Sequence, residues 1–306
     1  MKQKKKFKPN MRHFQLYSFC VIPMLLVFLF NYLPMFGIVI AFKDYKYNKG
    51  IFGSKWVGLN NFDFLFKSND FFRITWNTLE LNFIFIIVGT IAAVLVALLM
   101  FGIKSRNASK VYQTVLITPH FMSWVIVSYI VYAFLNPSYG MVNKIIEMFG
   151  GQAVDWYSAP SAWTYILTIC YVWKHVGMDS VVYYAALMGL DSSLFEAAQI
   201  DGANKRQIAW NITIPSLIPL ITVLTILKVG SIFRADFGLF YQVTRNVGTL
   251  YARTDVVDTY VYRTMREIGD MGMSSAVGLL QSVVGFVLVM VTNAVAKKVD
   301  PESSLF

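Results

Sequence analysis

Apolar residues along the chain fall into six long runs that polar or mixed segments separate. Each run has 18–26 residues, which suits a helix that crosses a hydrocarbon core of about 30 Å. Because backbone polar groups in lipid must be bonded within the protein, these runs predict helices rather than open strands. The six predicted spans are 16–41, 79–103, 112–135, 162–187, 216–233 and 276–296.

Charge along the chain sets the predicted domain boundaries and orientation. A basic N-terminal segment at 1–15 precedes a transmembrane domain at 16–298, and a short tail at 299–306 follows it. The lysine-rich start and the positive turn at 104–110 predict that both termini are cytoplasmic, since cytoplasmic flanks carry the excess of Lys and Arg. The predicted outer segments are 42–78, 136–161 and 234–273.

The composition agrees with a membrane protein. Of 306 residues, 56% are hydrophobic and 14% are charged, whereas a soluble domain carries about 25% charged residues. The net charge of +10 belongs largely to segments beside the membrane, where it orients the chain and meets anionic headgroups; it does not indicate nucleic acid. Cys20 and Cys170 both lie within apolar runs, which favours packing over a disulfide or a metal site.

The segment 190–215 is polar although apolar runs flank it on both sides. A charged side chain costs roughly 2.5–3.5 kcal/mol at the centre of a membrane helix, so we expect this segment in water. Its residues nevertheless predict ordered structure. Asp191 or Ser193 suits a helix N-cap, and Ser193 with Glu196 matches a capping box. Gly202 suits the end of that helix.

A spaced motif occupies the same segment. Asn204 suits the cap of a second short helix, which is expected to end before Pro215. The motif reads Glu196-Ala197-Ala198, three residues, Gly202, nine residues, then Ile212-Thr213-Ile214-Pro215. This spacing resembles the cytoplasmic loop of ATP-binding-cassette importer permeases, with Ile214 where that family has Leu. The plainer alternative is that Glu196 only completes a cap and Gly202 only ends a helix.

Other stretches resemble the carbohydrate-uptake branch of these permeases, in particular the polysaccharide and oligosaccharide type. They are spread over most of the chain, at 32–37, 41–44, 56–62, 119–124 and 173–177. The resemblance implies an all-α membrane protein with six transmembrane helices and the type I ABC importer permease fold, including a cytoplasmic coupling-helix loop. The coupling residues that it implies are Glu196, Ala197, Ala198, Asp201, Gly202, Ile212 and Pro215.

The sequence lacks the motifs of an ATP-binding or catalytic site. No GxxxxGK[ST] pattern occurs, no HExxH occurs, and the three histidines are scattered. We therefore expect no cofactor or metal on this chain, with ATP and Mg bound by a partner ATPase, and no catalytic residues. The resemblance implies a second permease subunit, an ATPase dimer and an extracellular solute-binding protein, which the outer segments 42–78 and 234–273 are expected to receive.

Charged residues inside two predicted spans indicate a polar pathway. Lys174 and Lys228 each lie about 12 residues into a span, near ~18 Å of depth. Two such cations repel unless anions or water lie near them, which favours a uronate carboxylate or sugar hydroxyls. The alternative is a structural Lys174–Asp179 ion pair. The candidate pathway residues are Trp124, Trp173, Lys174, Tyr183 and Lys228, the aromatic rings being suited to stack on sugars.

These observations predict a permease subunit of an ATP-driven, binding-protein-dependent sugar importer in the cell membrane. Its substrate is expected to be an oligosaccharide or a polysaccharide fragment. A different class of protein is also open: a stand-alone secondary transporter or channel that uses Lys174, His175 and Asp179 as a proton relay. A membrane-embedded enzyme is disfavoured because no nucleophile or metal set is recognisable.

Overall fold

The computed structural model describes residues 11–63 and 67–299. Most of the predicted basic N-terminus and of the C-terminal tail therefore lies outside the described residues. Within them the chain is helical apart from one short ribbon, in which strands β1 (Lys43–Asp44) and β2 (Lys55–Trp56) pair antiparallel. The prediction of a helical membrane protein is confirmed.

The first apolar run forms a long helical segment with changing pitch. Helix α1 (Met11–Val27) continues as a π-helical turn at Phe28–Tyr32 and a 3-10 helix at Leu33–Phe42. Its apolar side chains are mostly exposed, as in a helix that faces lipid or another subunit. The ribbon follows, with helix α2 (Gly50–Gly53) between its strands and a 3-10 turn at Asn60–Phe62.

Two long helices form the centre of the bundle. Helix α3 (Asn69–Phe101) packs along helix α7 (Pro160–Met188). Ala93 and Ala97 of α3 are fully buried, and their small side chains let Tyr183 and Leu187 of α7 pack closely against α3. Leu217, which follows the polar segment, completes this cluster.

The third apolar run is broken rather than straight. Helix α4 (Arg106–Ile117) and helix α5 (Trp124–Leu135) are joined by a 3-10 turn at Thr118–Phe121 and meet at 96°. The expected continuous span 112–135 is therefore wrong in form. Pro119 contributes to the break, because proline has no N–H to donate and its ring disfavours a continuing helix.

Among the described residues, four helices are long and apolar enough to span a membrane. The count is five if the bent pair α4 and α5 is taken as one span. Helix α7 is not among them, although it has 29 residues. It carries Lys174, His175 and Asp179, which lower its mean hydropathy. The protein is thus an all-helical membrane protein with four or five candidate spans.

The segment 234–273, which the sequence predicts to lie outside, is folded, with buried apolar residues and ion pairs. Arg263 lies 2.8 Å from the buried carboxylate of Asp255, and Arg253 lies 3.3 Å from Glu80 of α3. The remaining helices are α6 (Met141–Met148), α8 (Ser192–Ile200), α9 (Lys205–Ile208), α10 (Ile214–Gly230), α11 (Tyr251–Thr254), α12 (Val257–Arg263) and α13 (Met271–Val299). Short turns lie at Trp156–Ser158, Ala209–Thr213, Leu239–Val243, Gly248–Leu250 and Thr264–Ile268.

Candidate functional site

The polar loop begins with a capped helix. Asp191 is the N-cap of α8, and its Oδ1 accepts a hydrogen bond from the Ser193 backbone N–H at 3.0 Å. Hydrogen bonds from the backbone and then the hydroxyl of Ser193 lower the pKa of Asp191. Of the two caps that the sequence allows, the structure therefore uses Asp191, and the predicted capping box of Ser193 with Glu196 is wrong because Ser193 lies inside the helix. Glu196 is exposed and forms no ion pair with another described residue.

The turn after α8 depends on a glycine. Gly202 has a φ of +78°, a left-handed conformation that favours glycine. The predicted cap of the next helix is confirmed, because Asn204 and Gln207 form a reciprocal capping box with bonds of 2.9 and 2.8 Å. The loop is thus two capped helices around a fixed turn.

The second helix of the loop does not end before Pro215, as the sequence had predicted. Residues Lys205–Gly230 form one continuous helical path of 26 residues. A π-helical turn at Ala209–Thr213 widens the helix just before the proline, and the Ile214 N–H donates to the Ala209 carbonyl. This wider turn gives the proline ring room without a helix end.

The motif residues present an outward surface. Phe195 packs against Phe101 at the end of α3, with ring centroids 5.4 Å apart, and so fixes α8 to the bundle. Two of the proposed coupling residues, Ala198 and Ile212, are half-buried. The others are exposed, namely Glu196, Ala197, Asp201, Gly202 and Pro215.

The ammonium group of Lys174 fills the break between α4 and α5. Its Nζ donates to the carbonyl oxygens of His120 at 2.9 Å, of Pro119 at 3.4 Å and of Met122. A broken helix leaves carbonyls without their usual partners, and a cation can satisfy several of them. Lys174 is 7% exposed.

A glycine permits this arrangement. A Cβ at Gly177 would lie 1.8 Å from the Leu116 carbonyl oxygen, which is backbone and has no flexible end to move. Helix α7 therefore approaches the last turn of α4 closely because residue 177 has no side chain. Lys174 and Gly177 lie one turn apart and hold the same break.

The acidic residue of α7 pairs with the other lysine. Lys228 Nζ lies 2.7 Å from Asp179 Oδ2, so the suggested Lys174–Asp179 ion pair is wrong. The reason is that Lys174 is drawn to the carbonyls of the broken helix. His175 instead has its Nδ1 2.9 Å from the Tyr171 carbonyl oxygen. The three residues of the suggested relay thus have separate partners.

A polar cavity of about 240 Å³ lies between α3, α7 and the end of α10. Lys228 lines it, whereas Lys174 does not. The lining residues are Asn82, Phe85, Ile86, Tyr171, His175, Lys228, Ser231, Ile232, Arg234 and Asp236.

Trp124 connects the break to this cavity. Its ring lies 5.1 Å from Lys174 Nζ, and its Nε1–H donates to Asp236 Oδ2 at 2.8 Å. The sequence predicts that Arg234 and Asp236 lie in the outer segment 234–273 and gives no sign of their position in the cavity wall. One sequence signal for this wall was available, because Asn82 is a polar residue within an apolar run. In the structure its side-chain amide donates to the Ile232 carbonyl at 2.7 Å.

The remaining pathway candidates lie elsewhere. Tyr183 is 1% exposed and packs in the cluster around Ala93 and Ala97. Trp173 is 41% exposed and is not among the residues that line the cavity. The structure therefore brings Trp124 and Lys174 together. Lys228 is linked to them through the cavity wall, which it shares with Asp236, the hydrogen-bond partner of Trp124.

The comparisons with known proteins identify the family of the chain. Residues 85–301 match the family described as binding-protein-dependent transport system inner membrane component. The chain belongs to this family. A protein of Bacillus subtilis (strain 168) named polygalacturonan/rhamnogalacturonan transport system permease protein YteP is 38% identical over 90% of this chain and 85% of its own length. Protein LplB of the same organism is 37% identical over 92% of this chain and 88% of its own.

A solved structure is similar along nearly the whole chain. The crystal structure of a bacterial alginate ABC transporter, in complex with a periplasmic protein that holds an alginate pentasaccharide, contains a chain that is 32% identical. The match covers 94% of this chain and 96% of that one, with a TM-score of 0.84. Family membership confirms that this chain is an inner-membrane permease subunit of a binding-protein-dependent ABC importer, and that it belongs to transport proteins rather than enzymes.

Proposed function

We propose that this permease subunit imports acidic oligosaccharides or polysaccharide fragments. The relatives named above have polygalacturonan and alginate in their names, and both are polymers of uronates. The observation that carries the substrate class is the cavity, whose wall contains the carboxylate of Asp236 and two cations, of which Lys228 is paired with Asp179 and Arg234 has no ion pair among the described residues. A guanidinium without a carboxylate partner suits the carboxylate of a uronate ring, which it can bind with two parallel hydrogen bonds.

The six-span arrangement with both termini in the cytoplasm is part of this proposal. Helix α7 would be the remaining span, since its 29 residues rise by about 1.5 Å each and exceed a core of about 30 Å. Its charged groups are tolerable there because Lys174 and Asp179 both have partners within the protein. The type I ABC importer permease fold follows from this arrangement and the loop.

The loop at 190–215 would transmit the ATPase cycle to the bundle. We infer that Glu196 meets a basic residue of the ATPase, that Ala197 and Ala198 allow close approach, and that Gly202 sets the turn. The continuous helix from Lys205 to Gly230 would carry movement of the loop to Lys228 and to the cavity. ATP and Mg would be bound by the ATPase subunits and not by this chain.

The complete importer would contain a second permease, an ATPase dimer and an extracellular solute-binding protein. The exposed apolar side chains of the first helical segment would pack on lipid or on the second permease. The segments 42–78 and 234–273 would form the outer receiving surface.

Uptake by cells tests this proposal. Deletion of this chain should abolish uptake of labelled oligogalacturonate while glucose uptake continues, and expression of the chain should restore it. Unchanged oligogalacturonate uptake after deletion would contradict the proposed substrate class. A stand-alone secondary transporter would restore uptake without any ATPase partner.

A further inference from the structure

A second cavity of about 240 Å³ is lined by residues of helix α5 and of the segment that follows Asp236. Ser128, Tyr129, Tyr241, Gln242, Arg245 and Asn246 contribute to its wall. The chain connects the two cavities, because Asp236 lines the first and Tyr241, five residues later, lines the second. Trp124, which donates to Asp236 of the first wall, is also followed directly by Val125 of the second wall.

The guanidinium of Arg245 has no carboxylate partner among the described residues. It lies over the ring of Tyr132, 4.1 Å from the centroid. Elsewhere in the same outer segment, Arg253 and Arg263 pair with carboxylates of the protein. A guanidinium that lies on an aromatic face keeps its N–H edge free for a planar anion, which it can bind with two parallel bonds.

Two other groups of this cavity lack partners within the described chain, whereas Asn246 accepts from the Tyr251 hydroxyl and Ser128 donates to the Val125 carbonyl. The side-chain amide of Gln242 makes no hydrogen bond within the described chain. Tyr129 is 66% exposed and has no aromatic neighbour among the described rings. Amides that meet hydroxyls, and exposed rings that meet C–H faces, are the groups with which a protein holds a pyranose.

Backbone strain supports a role beyond folding. Arg245 and Asn246 have φ values of 55° and 50°, in the left-handed region. Asparagine adopts this conformation readily, whereas arginine does so at a cost. Strained non-glycine residues cluster at binding sites, where the strain holds a side chain in its working position.

We propose that this cavity is an outer saccharide subsite, in which Arg245 binds the carboxylate of a uronate ring and Tyr129 packs against a sugar face. The subsite rests on the proposed function, since it extends the cavity near Lys228 toward the outside. A substrate of one or two rings would occupy the inner cavity, and a longer one would reach both.

The test compares substrates of different length and charge in the complete reconstituted importer. The probes are digalacturonate, pentagalacturonate and methyl-esterified pentagalacturonate. Arg245→Asn removes the cation and retains a residue that tolerates the left-handed backbone. We expect it to raise the KM for pentagalacturonate about tenfold or more, as for a lost hydrogen-bonded charge pair. The maximum rate, and the KM values for the dimer and the ester, should stay near those of the unmodified importer.

A second variant and a control separate this result from misfolding. Tyr129→Leu, at an exposed helix position, should raise the KM for both pentamers but not for the dimer. Arg106→Gln, at an exposed arginine at the start of α4 and outside both cavities and the proposed receiving surface, should change none of the three. An unchanged KM for pentagalacturonate in Arg245→Asn, or an equal rise for all three probes, would overturn the subsite alone. An unmodified importer that takes up none of the probes would overturn the proposed function and the subsite with it.

Discussion

The ammonium nitrogen of Lys174 lies 2.9 Å from the carbonyl oxygen of His120, in the break of the third apolar run. A buried lysine and a broken helix in a membrane are each costly alone, because one is a charge and the other leaves carbonyls unpaired. Here the ammonium group of Lys174 supplies the donor that the carbonyls of the break lack, and those carbonyls in turn solvate its charge. The position of α5, and through Trp124 that of Asp236 in the cavity wall, therefore depends on a side chain of α7.

Replacement of Lys174 by Met should destabilise the protein while it keeps the side-chain length. The carbonyls of Pro119, His120 and Met122 would lose a shared donor, and leaving one buried acceptor unpaired costs about 1–3 kcal/mol. Thermal unfolding of the complex in lipid nanodiscs should show a lower midpoint. Lys144→Met, at an exposed lysine of α6, is the control. Equal midpoints for the two variants would mean that Lys174 is not needed at the break.

Replacement of Gly177 by Ala should disturb the same contact by adding one methyl group. The new Cβ would lie 1.8 Å from the Leu116 carbonyl oxygen, so α4 and α7 would have to separate. We expect poor assembly and reduced uptake. Gly278→Ala is a matched control in another long helix, because a Cβ there meets nothing within 4 Å. Gly177→Ala protein with the yield and stability of Gly278→Ala protein would refute this packing.

The sequence predicted the helical class, the polar loop and its caps, because these depend on local residue patterns. It did not predict the break at Pro119, since an apolar run of the right length has the same pattern whether it is straight or bent. The carbonyl partners of Lys174 could not be predicted either, since backbone carbonyls in a helix become available to a side chain only where the helix is broken. Asp179 was paired with the nearer lysine in sequence, whereas Lys228 of α10 is the nearer one in space.

Replacing either member of the Lys228–Asp179 pair should change the KM for pentagalacturonate, and the two changes should be in opposite directions. Asp179→Asn would release Lys228 to face the cavity with its full charge, and should lower the KM for pentagalacturonate about two- to fivefold, the range of a partly exposed ion pair. Lys228→Met would leave the Asp179 carboxylate near the cavity and should raise that KM. Methyl-esterified pentagalacturonate should respond little to either change. KM values that move in the same direction in both variants would exclude this electrostatic role.

Gly202 gives a prediction for the loop. A Cβ there meets no atom within 4 Å, so the effect of Gly202→Val comes from the left-handed backbone and amounts to roughly 1–2 kcal/mol. We expect the variant to remain in the membrane but to co-purify with less ATPase and to import less. Gly202→Asn should recover much of both, because Asn tolerates this conformation. Full ATPase recovery with Gly202→Val would show that the turn is not needed for docking.

The central claim is that this chain couples ATP hydrolysis to the import of acidic oligosaccharides. Its most direct test is uptake of labelled pentagalacturonate into proteoliposomes that contain the two permeases and the ATPase, with the binding protein on one face and ATP with Mg on the other. We predict accumulation that requires both ATP and the binding protein and that persists when the proton gradient is collapsed. Uptake by this chain alone, driven by an imposed pH gradient without ATP, would contradict the account.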